Sequence, residues 1–294
     1  MLLRHRLALL ALLFLLPTPA FAWGTAGHQL IMARAIALLP AELRPFYEHA
    51  GPELKVRVVD PDTWRTAGWD EDAHHFLDFG VPEYGAFPFA ALPRDYSDAL
   101  ARFGAASLKR NGLLPWRAAE EVANLRRAFD AVKRGSPYAY SDITLFSAVA
   151  AHYYQDATQP FHATDNYDGQ KTGNTGIHAR FESALLERFS DRLTLTPAPA
   201  AAFTSPRDAA FDLLLAGYQQ IDGILAADTA AARDREFYDD AFYEALFTRV
   251  KPTLERQVSA AVTATASLIV TAWEQAGRPA LTPDAPRAPQ RIRR

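Results

Sequence analysis

Apolar residues recur at helical spacing through most of this chain, and that spacing restricts the fold more than any other feature. In residues 27–39, Leu30, Ile31 and Ala35 lie on one apolar stripe that stops at Pro40. The same spacing predicts further helices over residues 96–111, 116–134, 141–154, 207–227, 237–250 and 254–276. No segment alternates apolar and polar residues beyond a few positions, so the fold class is predicted to be all-α.

Irregular structure is predicted for three stretches, residues 51–68, 79–93 and 163–176, the last of which is rich in Asp, Asn, Gly and Thr. Long loops in compact domains are often functional. Neither an internal repeat nor a domain linker is visible, so residues 23–276 are predicted to form one helical domain. Residues 277–294 contain four Pro and five Arg and are predicted to be a disordered, solvated tail.

The first residues have the pattern of a signal peptide. Arg4 and Arg6 precede an unbroken apolar run over residues 7–16, and small residues follow at a cleavage position. We therefore expect removal of residues 1–22, a mature chain that begins at Trp23, and a secreted or periplasmic protein. The apolar run is shorter than the roughly 20 residues that cross a bilayer, and no later stretch approaches that length. A transmembrane segment is not expected, whereas transient contact with a membrane surface stays open.

The absence of Cys limits how an exported domain of this kind is stabilised, because disulfides are excluded. Core packing or bound metal must stabilise the fold, and any zinc must be held by His nitrogen and carboxylate oxygen. The formal net charge is −3, but two Arg lie in the leader and five in the tail, so the body between them is more acidic. An acidic body argues against a broad basic groove for duplex nucleic acid.

Metal-binding chemistry is indicated most strongly by His152 and Asp156, which lie four positions apart and therefore on one face of a helix. Pro160 ends or kinks that helix, so His162 can approach the same cavity from another direction. This arrangement of two imidazoles and a carboxylate is typical of residues that share a metal ion.

A second pair with the same spacing, His178 and Glu182, follows the polar loop. Two facing helices that carry such pairs can build a zinc site in a bundle core. Any one of these His residues alone is better explained as a hydrogen-bonded core residue. Alternating His and carboxylate positions within about thirty residues favour a shared metal site instead.

A weaker signal lies upstream, where Asp60 and Asp62 are followed by His74 and His75. Acidic loops are commonly solvated, and adjacent His side chains point in different directions. At most one of these two His residues is therefore expected to join the same centre.

The expected mature terminus supplies another ligand of unusual kind, because the α-amino group of Trp23 would stand five residues ahead of His28. A terminal amine has a reference pKa of about 7.7–8.0, so it loses its proton more easily than a Lys does, and metal binding favours that loss. The alternative is that Trp23 only packs into the core.

Together these residues resemble the superfamily that joins zinc-dependent bacterial phospholipase C to the single-strand-specific zinc nucleases. The shared elements are an N-terminal Trp created by cleavage, a nearby His, an Asp about fifteen residues before a His-Phe-x-Asp element, a His-x3-Asp-x5-His core and a final His-x3-Asp/Glu pair. They run here from Trp23 to Glu182. The resemblance implies an all-α fold with three zinc ions in a cleft.

The resemblance also implies which residues bind the three ions. The ligand sets are Asp60, His75, His152 and Asp156; His162, His178 and Glu182; and Trp23, through its amino nitrogen and carbonyl oxygen, with His28 and Asp156. His75 is preferred over His74 because it directly precedes Phe76 of the His-Phe-x-Asp element. Asp62 replaces Asp60 if the intervening loop differs in length from the family pattern.

Phosphate-ester hydrolysis is the activity that the resemblance implies. A water held between two zinc ions would lose a proton and attack phosphorus, while the remaining ion neutralises charge on the phosphate. Asp156 would bridge two ions, and Asp60 would orient or deprotonate the water. These two carboxylates are the predicted catalytic residues.

The substrate is divided between the two branches of the superfamily. The step from Trp23 to His28 resembles the nucleases, whereas Glu182 and the short interval between His162 and His178 resemble phospholipase C. The absence of Cys departs from the disulfide-containing nucleases, which weakens the transfer of their substrate. No carboxylate follows Trp23 closely enough to receive choline in the manner of that branch. A phospholipase C-like phosphodiesterase is therefore the first hypothesis, a single-strand endonuclease for DNA or RNA the second, and a non-catalytic zinc-binding protein the third. No protein partner is predicted.

Overall fold

The computed structural model describes residues 23–284, and these residues are almost entirely helical or irregular. The α-helices in chain order are α1 (Gly24–Ile36), α2 (Arg44–Arg57), α3 (Asp60–Thr66), α4 (Tyr96–Phe103), α5 (Ala105–Asn111), α6 (Leu114–Lys133), α7 (Ala139–Asp156), α8 (residues 177–189), α9 (Pro206–Tyr218), α10 (Ile221–Ala232) and α11 (Asp240–Gln275). Helix α8 begins with Ile177–Ala179, continues as a π-helical turn over Arg180–Ala184 and ends with Leu185–Phe189. Within this part of the chain, extended pairing is limited to one isolated bridge between Phe79 and Thr164. The all-α prediction is confirmed.

Two long helices organise the core. Helix α11 packs against α1, α6, α7 and α10, and α7 packs along α6. Helices α1 and α3 both contact α7, and α1 also contacts the π turn of α8. The elements that carry the predicted metal ligands therefore meet around the C-terminal half of α7.

Helix α11 continues through Pro252, where the sequence predicts a break between two helices. Proline inside a helix costs roughly 3 kcal/mol, because a hydrogen bond is lost and the ring crowds the preceding turn. Leu246, Val250, Leu254 and Val258 stand four positions apart across this point and are all buried. Burial of that continuous face on both sides of Pro252 outweighs the local cost.

The stretch 51–68, predicted to be irregular, is mostly helical. It contains the last half of α2 and all of α3, which are separated only by Val58 and Val59. Prolines stand at the first turns of both helices, where a missing N–H is tolerated, and Pro52 lies inside α2. The buried face of α2, which includes Phe46, Tyr47 and Leu54, holds it against the core despite that proline.

Three predicted helix boundaries also shift. The predicted helix 96–111 is divided at Gly104, whose φ of 75° is outside the helical region. The predicted helix 207–227 is divided into α9 and α10. Helix α7 begins at Ala139, two residues before the predicted start at Ser141, whose hydroxyl donates to the carbonyl of Tyr138.

Residues 193–203, here named the strap, run parallel to α11 and bind its side chains. Backbone N–H groups of the strap donate to Glu255, Ser259, Ser267 and Thr271, and the hydroxyl of Thr263 donates to the carbonyl of Ala198. These five positions on α11 are spaced by four residues and so form a single row. These α11 side chains pair with the backbone groups of the strap, as a neighbouring strand would do in a sheet.

Residues 277–284, the first part of the predicted disordered tail, lie against the body. The indole N–H of Trp273 donates to the carbonyl of Pro279 at 2.9 Å, and the N–H of Thr282 donates to the hydroxyl of Tyr140 at 3.2 Å. Leu281 packs against the core. The rest of the predicted tail and the predicted signal peptide, residues 285–294 and 1–22, lie outside the described residues.

From Trp23 to Asp284, no helix combines the length and the apolar composition needed to cross a membrane.

Candidate metal centre

The last turns of α7 place His152 and Asp156 in the protein interior. Both side chains are fully buried, and the His152 Nε2 atom lies 3.3 Å from Asp156 Oδ2. The Nδ1–H of His152 donates to the carbonyl of Val58 at 2.8 Å. Because a carbonyl can only accept, this bond fixes the proton on Nδ1 and leaves the Nε2 lone pair free to bind a cation.

His28 reaches the same carboxylate from α1. Its Nδ1–H donates to the amide oxygen of Gln155 at 2.6 Å, and its Nε2 atom lies 3.5 Å from Asp156 Oδ1. The imidazoles of His28 and His152 stack with their centroids 4.3 Å apart. Asp156 therefore presents one oxygen to His28 and the other to His152.

His75 follows a short 3-10 helix, Asp72–His74, and approaches from the third side. Its Nδ1 atom lies 2.9 Å from Asp156 Oδ2 and 3.1 Å from His152 Nε2. The neighbouring His74 points away from this group, and its Nδ1 atom lies 3.4 Å from a Glu71 oxygen. The preference for His75 over His74 agrees with this arrangement.

Asp62, rather than Asp60, joins the group. Asp62 is 3% exposed, and its Oδ1 atom lies 3.8 Å from His75 Nδ1 and 4.0 Å from His152 Nε2. The Asp60 side chain is 25% exposed and pairs with Arg57. Both aspartates are in α3, where residues two apart point to opposite sides, so only one of them can face α7. The geometry thus favours Asp62, the alternative that the sequence left open, and the ligand role of either aspartate stays a prediction.

A third group lies farther along the chain, where His162, His178 and Glu182 meet. His162 stands in a 3-10 turn, Pro160–Ala163, that directly follows α7, and its Nδ1–H donates to the carbonyl of His75. Its Nε2 atom lies 3.2 Å from His178 Nε2, which is 2.8 Å from Glu182 Oε2. Gln159 donates to the same Glu182 oxygen at 2.8 Å. The predicted change of direction at Pro160 brings His162 to this group.

These side chains leave many buried polar atoms without hydrogen-bond partners. The unpartnered atoms are His28 Nε2, both carboxylate oxygens of Asp62, His74 Nδ1, His75 Nε2, Asp156 Oδ1, His178 Nδ1 and Glu182 Oε1. Most buried polar atoms in proteins are paired, because leaving one unpaired costs about 1–3 kcal/mol. Lone pairs that face one another, such as those of the His28 nitrogen and the Asp156 oxygen, can be satisfied by a cation bound between them.

Three sets of ligand atoms are close enough to share an ion. Atoms of His28, His152 and Asp156 form one set, those of Asp62, His75 and His152 a second, and those of His162, His178 and Glu182 a third, with the atoms of each set within 4.8 Å of one another. All members of the three sets are buried. The residues present fit a metal centre, and His152 belongs to two of its three groups.

Two of the imidazoles are neutral and ready to bind metal, whereas His152 carries a proton at pH 7 that a metal ion would displace. Burial and the nearby His152 lower the pKa of His28 to about 3, and burial also lowers the pKa of His162 to about 3. Both rings are therefore neutral at pH 7. Burial opposes the charge on His152, but Asp156 and Asp62 outweigh it and raise its pKa to about 9. The same interaction with His152 holds the pKa of Asp156 well below its usual range, although burial acts in the other direction.

Trp23 is fully buried beside this centre. Its indole N–H donates to the backbone carbonyl of Gln155 at 2.7 Å and lies 3.2 Å from the Thr158 hydroxyl. The ring packs 6.2 Å from that of Phe181. The packing role that the sequence left open for Trp23 is present, and the predicted role of its amino group stays a prediction.

A cleft of about 280 Å³ opens onto the second and third groups. It is lined by Arg65, Asp72, His75, Phe76, Asp78, Phe161, His162, Tyr167 and His178. Burial, with the nearby Asp165, raises the pKa of Asp78 to about 7. A larger groove of about 840 Å³ lies between the strap, α9 and α11, and none of the metal-group residues line it.

Arg65 is a cleft residue that sequence reasoning did not single out. It follows Asp62 by three positions in α3, so both side chains lie on one face of that helix. The Arg65 guanidinium is 3.6 Å from Asp62 and 3.8 Å from Asp72. The three-residue interval between Asp62 and Arg65 is visible in the sequence, but it places them on one face only if residues 60–66 are helical.

No protein-family model matches this sequence, and no characterised protein matches it either.

Proposed function

We propose that this protein is an exported, zinc-dependent hydrolase of phosphate esters. The observation that carries the proposal is the set of three buried His and carboxylate groups with unpartnered ligand atoms, two of which open onto a cleft that Arg65 also lines. A purely structural cluster would not need a cleft or a guanidinium beside it. A phosphate group carries the charge that both the metal ions and Arg65 attract.

Zinc is the metal that we assign to the three groups. The donor set contains imidazole nitrogen and carboxylate oxygen, without sulfur, and zinc binds this set in catalytic sites that keep an open position. Each of the two imidazoles His28 and His152 is oriented by a hydrogen bond from its other ring nitrogen to an oxygen, as ligating His residues usually are. The Trp23 amino group would complete the set that contains His28 and Asp156 once the leader is removed.

Two carboxylates have proposed roles in the reaction. Asp156 directs one oxygen toward His28 and the other toward His75 and His152, so it can hold two ions at a fixed separation. Both oxygens of Asp62 are without a hydrogen-bond partner, so one can bind metal while the other accepts a proton from the attacking water. Bound zinc would activate that water and neutralise phosphate charge. The role first expected for Asp60 thus passes to Asp62.

A phosphodiester is the substrate class that we favour, with a phospholipase C-like reaction first. Glu182 and the short interval between His162 and His178, both in the third group, resemble that branch. Single-stranded nucleic acid is the second candidate, because the rings of Phe76 and Tyr167 line the cleft with Arg65 and can stack on a base.

The test is hydrolysis by the mature protein with Trp23 at its true N-terminus. Phosphatidylcholine, other phosphoesters and single-stranded DNA and RNA are assayed with and without a chelator, beside the Asp156→Asn variant. We expect turnover of one substrate class that stops with chelator, returns with zinc, and falls about 100-fold or more in the variant. Full activity in the metal-free protein or in Asp156→Asn would contradict the proposal. A folded, zinc-loaded protein that hydrolyses none of these substrates would favour the non-catalytic alternative.

A further inference from the structure

Arg180 lies between His178 and Glu182 in the sequence, but its side chain makes its contacts elsewhere. The guanidinium is 5% exposed and forms two parallel hydrogen bonds with Asp228 of α10, from Nε to Oδ1 and from Nη2 to Oδ2, each 2.9 Å long. Asp228 is itself 2% exposed. This is a buried, bidentate ion pair next to the third metal group.

The same guanidinium fixes the end of the loop that precedes α8. Its Nη2 atom donates to the carbonyl of Asn174 at 2.9 Å and its Nη1 atom to the carbonyl of Thr175 at 2.8 Å. The Asn174 amide donates to Asp228 at 2.9 Å. All three guanidinium nitrogens therefore have acceptors, and loop, α8 and α10 are joined at one point.

Gly176 makes this close approach feasible. A Cβ atom at that position would stand 2.7 Å from Arg180 Nη1, and the Gly176 φ of 86° is one that L residues rarely adopt. The ring of Tyr238 closes the other face, with its centroid 4.3 Å from Arg180 Cζ. The guanidinium is thus enclosed on all sides by groups that match its shape and charge.

The third metal group needs such an anchor because its local helix is weak. His178 stands in a three-residue segment, Ile177–Ala179, and Glu182 stands in the π turn Arg180–Ala184. Isolated helices as short as the whole of α8 are marginally stable in water, and π turns are rare and often occur at functional sites. The backbone alone would not hold the two ligands in one orientation.

We propose that Arg180 and Asp228 are a positioning pair that holds His178 and Glu182 in the orientation needed to bind metal. Neither residue is a ligand, yet the affinity of the third group depends on the pair. The inference rests on the proposed function, since it presumes the metal centre described above.

The test measures zinc binding rather than activity alone. Arg180→Lys keeps the charge but loses the bidentate geometry, and Asp228→Asn keeps the size of the side chain but loses its charge. We expect each variant to lose affinity for one of its zinc ions by about 10-fold or more, with unchanged circular dichroism and with zinc content restored at raised zinc concentration. Zinc is followed by competition with a chromophoric chelator and by elemental analysis.

A matched control is available in the pair formed by Arg192 and Glu244. This pair is also bidentate, with both bonds 2.7 Å long, but it is about half exposed. It joins α11 to the residues that directly follow α8. Glu244→Gln should leave zinc affinity unchanged. Equal loss in Glu244→Gln and Asp228→Asn would overturn a specific positioning role.

Hydrogen exchange of the wild-type protein supplies a measurement that does not depend on how well the variants fold. Zinc should slow exchange in residues 177–186 and, through the ion pair, in residues 225–229 of α10. Slowing confined to residues 177–186 would overturn the inference, as would wild-type affinity in folded Arg180→Lys and Asp228→Asn. A wild-type protein that binds no zinc would instead refute the proposed function and this inference with it.

Discussion

Helices α7 and α11 both carry polar residues at intervals of four, and the two rows have different roles. On α11 the row from Glu255 to Thr271 meets backbone groups of the strap, so its members have hydrogen-bond partners. On α7, His152 and Asp156 meet other lone pairs and carboxylates, and Asp156 Oδ1 has no partner. The spacing is the same in both helices. What distinguishes the candidate metal centre is that several of its polar atoms lack hydrogen-bond partners, whereas the α11 side chains of the row all have them.

Removal of metal should give the largest effect, because it acts on all three groups around α7 and leaves the α11 row unchanged. Each ion held at a free concentration about a thousand times its dissociation constant contributes roughly 4 kcal/mol to stability. We expect a chelator to lower the melting temperature strongly and zinc to restore it, as followed by calorimetry. If the melting temperature is the same with and without chelator, the unmatched atoms of α7 do not hold metal.

Separate substitution of the two aspartates of α3 should show which of them binds metal and which is only a surface residue. Asp62→Asn removes a buried oxygen donor from the second group, so zinc content and hydrolysis should fall by about 10–100-fold or more. Asp60→Asn only alters a partly exposed pair with Arg57, whose contribution is at most about 1 kcal/mol. The reverse ranking of the two variants would restore Asp60 as the ligand.

Loss of a hydroxyl from the α11 row should affect stability and leave zinc content unchanged. Thr271→Val keeps the side-chain shape but leaves the N–H of Phe203 without its 2.8 Å acceptor. The expected cost is about 1–3 kcal/mol in the free energy of unfolding, measured by urea denaturation. A change in zinc content or in the rate of hydrolysis would show that the two rows are coupled.

The pH dependence of the metal-free protein should give the smallest effect. The pKa of folded His152 is raised to about 9 from an ordinary value of 6.5, so its proton stabilises the metal-free fold fully below pH 6.5. That stabilisation is lost as pH rises through 9. His28 and His162, whose pKa values are lowered to about 3, act in the opposite direction, but only below about pH 7, where the unfolded chain takes up their protons. Denaturation curves of chelated protein should therefore show declining stability from pH 7.5 to pH 9, and a flat or rising series over that range would contradict this account.

The sequence predicts most of the centre because its ligands stand at helical spacing. His152 with Asp156, and His178 with Glu182, can be recognised from intervals of four residues and a proline that follows. The choice between Asp60 and Asp62 depends instead on helix phase, and Pro52 and Pro61 made that stretch resemble a loop. Only the packing of α3 against α7 decides which aspartate turns inward.

Other parts of the fold depend on tertiary contacts that no local pattern contains. The continuation of α11 through Pro252 follows from burial on both sides of that residue. The sequence of the strap does not indicate its partners, because the α11 side chains that bind it lie about sixty residues later in the chain. Arg180 resembles an ordinary surface residue until Asp228 is placed beside it.

The buried indole of Trp23 has a practical consequence for production of the protein. Its hydrogen bonds with Gln155 and Thr158 fix residue 23 next to the side chains that meet Asp156, so any added N-terminal sequence must leave the fold from that place. An affinity tag there would crowd the centre, whatever its length. At the other end of the described residues, the Asp284 side chain is 85% accessible. A purification tag therefore belongs at the C-terminus.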